Sequence, residues 1–125
     1  MVRKIIRYFH ITSKYKGYPL IIDAINIYID KYGEYIKITK DIYPLLSKKY
    51  NMPFSCVERN IRTVVETCWD NDKQAVEAIL GYKTAKCPSN SEFIDAIAYR
   101  IAKDCNISLL SLGTETDKQI EDCES

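Results

Sequence analysis

The chain has 125 residues, 46% hydrophobic and 28% charged, with a net charge of +1. That is enough apolar material for one domain with a single core, and too much for a disordered polar chain. No apolar run approaches the roughly 20 residues of a membrane-spanning helix, and the basic start has no signal-peptide h-region or cleavage site, so a cytoplasmic protein is expected.

The five cysteines stand at 56, 68, 87, 105 and 123, with no C-x-x-C and one histidine in the whole chain. An odd, scattered set of this kind suits free thiols in a reducing compartment better than a disulfide framework or a zinc site. Residues 1–63 carry 12 basic and 5 acidic side chains, +7, whereas residues 64–125 carry 6 and 12, −6. The asymmetry suggests a positive surface for an anionic partner with the acidic half turned away, unless the two halves interleave in space.

In chain order, residues 3–10 read as a short helix with Ile5, Ile6 and Phe9 inward. After a turn around Thr12 and Ser13 and the run Lys14 to Tyr18, Pro19 suits the first turn of a helix over 19–32. Ile21, Ala24, Ile25, Tyr28, Ile29 and Tyr32 share one face of it, and Gly33 fits its C′ position. A third helix opens at Ile38 with Thr39 as N-cap and Ile42, Leu45, Leu46 and Tyr50 inward. Pro44 predicts a bend there, or a helix that starts properly near Tyr43. Asn51 suits a left-handed C′ residue and Pro53 blocks continuation.

The stretch from Met52 to Trp69 is the most informative. Ser55 and Glu58 form an S-x-x-E capping box, and Val57, Ile61, Val64, Val65, Cys68 and Trp69 recur at helical spacing. The opposite face carries Cys56, Arg59 and Thr63, with Arg62 on its flank. A helix, a turn of about four residues and a capped helix with outward arginines make a helix-turn-helix pattern. Asp70 to Asp72 ends this helix or caps the next, 73–80, with Ala75, Val76, Ile79 and Leu80 inward and Gly81 at C′. Pro88 precedes a second box, Ser89-Asn90-Ser91-Glu92. It opens a helix over 91–104 with Phe93, Ile94, Ile97, Ala98 and Ile101 inward. There is no repeat and no useful strand alternation. The expected class is all-α, about six helices around a central helix-turn-helix. The helical domain is expected over residues 1–105, with a partly disordered acidic tail over 106–125.

Chemistry is sparse. His10 has no acid beside it, so a nucleophile-base pair would need distant partners, and a lone histidine there reads as a surface or turn residue. No phosphate-binding G-x-x-x-x-G-K-[ST] and no calcium-loop spacing occur. The ten tyrosines invite base stacking, but Tyr28, Tyr32 and Tyr50 fall on inward stripes, where packing explains them. Neither an enzyme nor a cofactor is expected. Outward arginines can read guanine in a major groove or sit on a plain solvated face; the helix-turn-helix context favours reading. Lys37, Lys40, Lys48, Lys49, Lys83 and Lys86 can meet phosphates or serve solubility alone.

At this stretch the sequence resembles the C-terminal DNA-binding domain of stage 0 sporulation protein A. The resemblance is carried by Lys16-Gly17-Tyr18, Ile38-Thr39-Lys40, Tyr43-Pro44, Lys48-Lys49, Ser55, Val57-Glu58-Arg59, Ile61-Arg62, Glu66, Trp69, Gly81-Tyr82 and Pro88 with Asn90 to Phe93. It runs from about residue 5 to 103. It implies a six-helix fold binding an operator box of double-stranded DNA, with the helix of about 55–69 in the major groove. Glu58, Arg59 and Cys56 fall at its base-reading positions. Ser55, Arg62, Thr63, Lys40, Lys48, Lys49, Lys86, Ser89 and Asn90 are expected at the DNA backbone.

Three departures stand out. Cys56 replaces a base-reading arginine, Thr63 a histidine, and Cys87 the lysine before the proline, with Lys86 one place earlier. Relatives also carry an N-terminal receiver domain, for which a chain starting at Met1 leaves no room; a stand-alone regulator, not switched by phosphotransfer, is therefore expected. Homodimers on tandem sites, and contact with RNA polymerase or a sigma factor, are further expectations. An alternative keeps the fold but acts as an antagonist through protein contacts.

Overall fold

The computed structural model describes residues 2–31, 34 and 36–111, the last eight by backbone alone. Among these residues there are six α-helices and no strand: α1 Val2–Tyr8, α2 Gly17–Asp30, α3 Tyr43–Tyr50, α4 Phe54–Asn71, α5 Lys73–Leu80 and α6 Asn90–Ser111. A single π-helical turn, Ile38–Ile42, leads into α3. The architecture is all-α, with α2 packed against both α4 and α6.

The apolar stripes build one core. Leu20, Ile21, Ala24 and Ile25 of α2 are fully buried with Val57, Ile61 and Val64 of α4 and Phe93, Ile94 and Ile97 of α6. Ile6, Phe9 and Ile11 close one end; Ile42, Tyr43 and Leu46 close another. Gly17 is needed for space and not for its backbone angles. An added Cβ would lie 2.2 Å from the carbonyl oxygen of Asn60, so α2 and α4 touch backbone to backbone.

Helix ends follow side-chain chemistry. Asp72 caps α5, accepting from the Ala75 N–H at 3.0 Å, and Gly81 closes it in the left-handed region at φ 88°. Asn51 ends α3 at φ 50°, as its sequence position predicts. His10 is exposed in a left-handed turn after α1, at φ 66°. At α6 the predicted box forms in both directions: the Ser89 N–H donates to Glu92 Oε1 at 2.9 Å, and the Glu92 N–H to Ser89 Oγ at 3.1 Å. The Ser89 N–H bond is the main cause of a Glu92 carboxyl held below its ordinary value.

Four expectations are corrected. Ser55 is not an N-cap: α4 starts at Phe54, with Pro53 in the cap position and no side-chain cap. The Pro53 carbonyl accepts from Cys56 and Val57 instead, and Glu58, now beyond the first turn, pairs with Arg62. Thr39 is not an N-cap either. Lys37 holds that position, and its N–H donates to the Asp41 carboxylate at 2.7 Å.

Leu45 is exposed, whereas Tyr43, which the pattern left out, is buried. The π-turn explains this exchange. The Tyr43 N–H donates to the Ile38 carbonyl five residues back, and the extra residue in that turn rotates the following helix by about 100°. Lastly, α6 continues past the predicted end at 104 to Ser111, since no Gly or Pro interrupts Cys105 to Ser111. Tyr32 and Gly33, and the tail from residue 112, lie outside the described residues.

Candidate nucleic-acid interface

Helix α4 has a buried back and a polar front. Val57, Ile61, Val64, Val65 and Cys68 are buried, and burial pushes the Cys68 thiol up to about 12. Trp69 is half-buried, with the Lys73 ammonium 5.2 Å from its ring centroid. On the front, Arg59 and Thr63 are exposed one turn apart, and Thr63 Oγ1 donates to the Arg59 carbonyl at 3.1 Å. Arg59 makes no ion pair among the described residues. Cys56 is half-buried one turn toward the N-terminus, and Ser55 is exposed in the first turn.

Beside this ridge lies a cleft of about 490 Å³ between α4 and the start of α6, lined by Glu58, Arg62, Lys86, Ser89 and Asn90 among others. The Arg62 guanidinium donates to Glu58 Oε1 at 2.8 Å, an i,i+4 pair exposed to solvent. Asn90 is buried. Its side-chain amide donates to Tyr43 Oη and to the Glu58 carbonyl, both at 3.1 Å.

Eight of the predicted site residues form two groups: the ridge of Cys56, Arg59 and Thr63, and the cleft group of Glu58, Arg62, Lys86, Ser89 and Asn90, with Ser55 in neither. The remaining lysines lie outside both. Lys40 is exposed on the π-turn, Lys48 is exposed on the last turn of α3, and Lys49 is held by Asp23 of α2 at 2.8 Å. That bond to Asp23 is the first cause of a raised Lys49 ammonium value, and Tyr50 Oη shares the same carboxylate. Among the described residues two acids of the second half, Glu66 and Glu92, share the cleft with Arg62 and Lys86.

Two contributors escaped sequence reasoning. Tyr43 was hidden by the phase change at the π-turn, although its spacing to Leu46 and Tyr50 is helical. Asp23 was legible only as an acid between the apolar Ile22 and Ala24 of α2. Among the described residues no group of three or more acidic, histidine or cysteine side chains is arranged to hold a metal. No helix among them is long and apolar enough to cross a membrane.

The family model of the C-terminal domain of sporulation initiation factor Spo0A matches residues 2–101. The chain belongs to this family. The Spo0A C-terminal domain is a DNA-binding effector domain of a sporulation regulator, not an enzyme family, so DNA is the partner of this fold. Membership in a DNA-binding family implies a cytoplasmic location for the domain.

Proposed function

We propose that α4 enters the major groove and that the chain regulates transcription by reading a short operator box on the bacterial nucleoid. One observation carries this reading: Arg59 stands exposed and without an ion pair among the described residues, on the front of a helix whose back is fully packed. A rigid mount and a free guanidinium are what bidentate guanine reading requires. Glu58 shares the reading as an acceptor for a cytosine amine. Arg62, Thr63, Ser55, Lys40, Lys48 and Lys86 meet phosphates, which fix position without specifying sequence. Lys49 joins them only by leaving Asp23. Tandem boxes would seat two copies.

The test is affinity for an operator-box duplex and a scrambled duplex across salt concentrations. The box should bind more tightly, and both affinities should fall with salt. Arg59→Ala should cost ~1–3 kcal/mol on the box and little on the scrambled duplex. Lys48→Ala should weaken both alike and reduce the salt slope by about one contact. Equal affinity of the unaltered chain for both duplexes would sink the proposal.

A second reading is favoured by the Glu58–Arg62 pair: two candidate DNA-contacting groups already satisfy each other, and Cys56 cannot make a bidentate contact. On this reading the fold acts as an antagonist or adaptor on RNA polymerase, a sigma factor or a full-length sporulation regulator. Binding to purified RNA polymerase with no preference for the box would support it over the first.

A further inference from the structure

We propose that Asn90 is a positioning residue: its side-chain amide, bonded to Tyr43 and Glu58, sets the angle at which α4 presents Arg59 to DNA. The inference rests on the reading of α4 as the DNA-contacting helix. It assigns Asn90 a role other than a phosphate contact.

The geometry is specific. Asn90 is a buried polar residue, 8% exposed, in the lining of the cleft between α4 and the start of α6. Its amide nitrogen has two hydrogens, and both are used, toward Tyr43 Oη and the Glu58 carbonyl at 3.1 Å each. A backbone carbonyl only accepts, so the nitrogen and not the oxygen of the amide must face Glu58. One side chain thus joins the first residue of α3, the second turn of α4 and the first residue of α6.

Each end of this joint is itself held. The Ser89–Glu92 box fixes the start of α6 on which Asn90 is mounted. Tyr43 is 1% exposed and stacks edge-on against Phe54, the first residue of α4, at 5.5 Å between ring centroids. The Glu58 carbonyl belongs to the peptide unit that carries Arg59, so anchoring that carbonyl anchors the mount of the ridge arginine. Glu58 extends the joint outward, because its carboxylate holds Arg62. An apolar side chain would fill the same space without fixing a direction. A buried amide with both N–H donors paired rigidifies one arrangement of the three helices.

The experiment compares 125-residue chains carrying Asn90→Ala or Tyr43→Phe with the unaltered chain, on box and scrambled duplexes. The expected result for Asn90→Ala is a box-to-scrambled affinity ratio lowered about tenfold, the scale of one base contact. Affinity for the scrambled duplex and its salt slope should stay within about twofold. Tyr43→Phe keeps the ring and removes one acceptor, so it should lower the ratio by a smaller factor; it keeps the proposal falsifiable should Asn90→Ala fail to fold. Hydrogen exchange at the Arg62 and Thr63 amides of α4 should quicken in both. An unchanged ratio in a folded variant overturns the proposal. Equal loss on both duplexes with a shallower salt slope also overturns it, by showing Asn90 to be a phosphate contact. An unaltered chain that does not discriminate removes the reading of α4 together with the proposal, whereas discrimination that survives in the variants removes the proposal alone.

Discussion

Gly17→Ala tests the tightest contact in the fold. The new methyl carbon would stand 2.2 Å from Asn60 O and 2.7 Å from Val64 Cγ2. Carbon and a carbonyl oxygen rest about 3.3–3.6 Å apart, so α2 and α4 must separate by on the order of 1 Å. Val64 can turn a little; the Asn60 backbone cannot. Against this, alanine gains up to about 1 kcal/mol over glycine in a helix interior, and less at the first residue of a helix, where Gly17 stands. Overpacking a filled core costs ~1–3 kcal/mol, and with a backbone atom in the way the upper end applies. The balance is a loss of about 2 kcal/mol, which for a chain of this size lowers Tm by about 8 °C. Thermal unfolding followed by circular dichroism measures it. A Tm equal to or above that of the unaltered chain would refute the argument, because helix propensity would then have outweighed the contact. Asn60 adjoins Arg59, so box binding by the folded variant should weaken as well.

Two further outcomes follow from particular bonds. Glu92 has a folded value below its ordinary one, so the unfolded chain takes up the proton more readily; its stabilisation is present above the unfolded value and lost as pH falls through the folded one. The stability gap between the unaltered chain and Glu92→Ala at pH 7 should therefore close between about pH 5 and pH 3; urea titrations at several pH values would show it, and a gap independent of pH would mean that the capping charge contributes nothing. Cys56→Arg places a guanidinium on the α4 ridge at the position to which the resemblance assigns a base-reading arginine. Box affinity should rise by ~1–3 kcal/mol, roughly tenfold to more than a hundredfold, and an unchanged box preference would show that this first turn does not reach the bases.

The long helices were legible because each carries its own apolar period. The inward sets of α2, α4 and α6 were read from spacing and are buried, apart from the half-buried Tyr28, Ile29 and Trp69 and Tyr32 outside the described residues. Asp72, Gly81 and the Ser89–Glu92 pair were legible as local chemistry. The first turn of α4 was not. The same S-x-x-E spacing that forms a box at Ser89 fails at Ser55, because Pro53 and the left-handed Asn51 start the helix one residue before Ser55. Identical local signals thus gave opposite results, and the preceding residues decided which.

By itself the sequence determined the helical class, the buried back of α4 and the residue types on its front, since these depend on periodicity along a single helix. Tertiary structure decided which of those side chains are free. Arg59 stands clear on the ridge, Lys49 is held by Asp23, and Asn90 turns inward to Tyr43 and Glu58, whereas the Glu58–Arg62 pair lies within α4 at i,i+4. Those partners lie up to 47 residues apart. Only packing brings such distant groups within bonding distance, because hydrogen bonds and ion pairs depend on separation in space, which one helix's pattern does not encode.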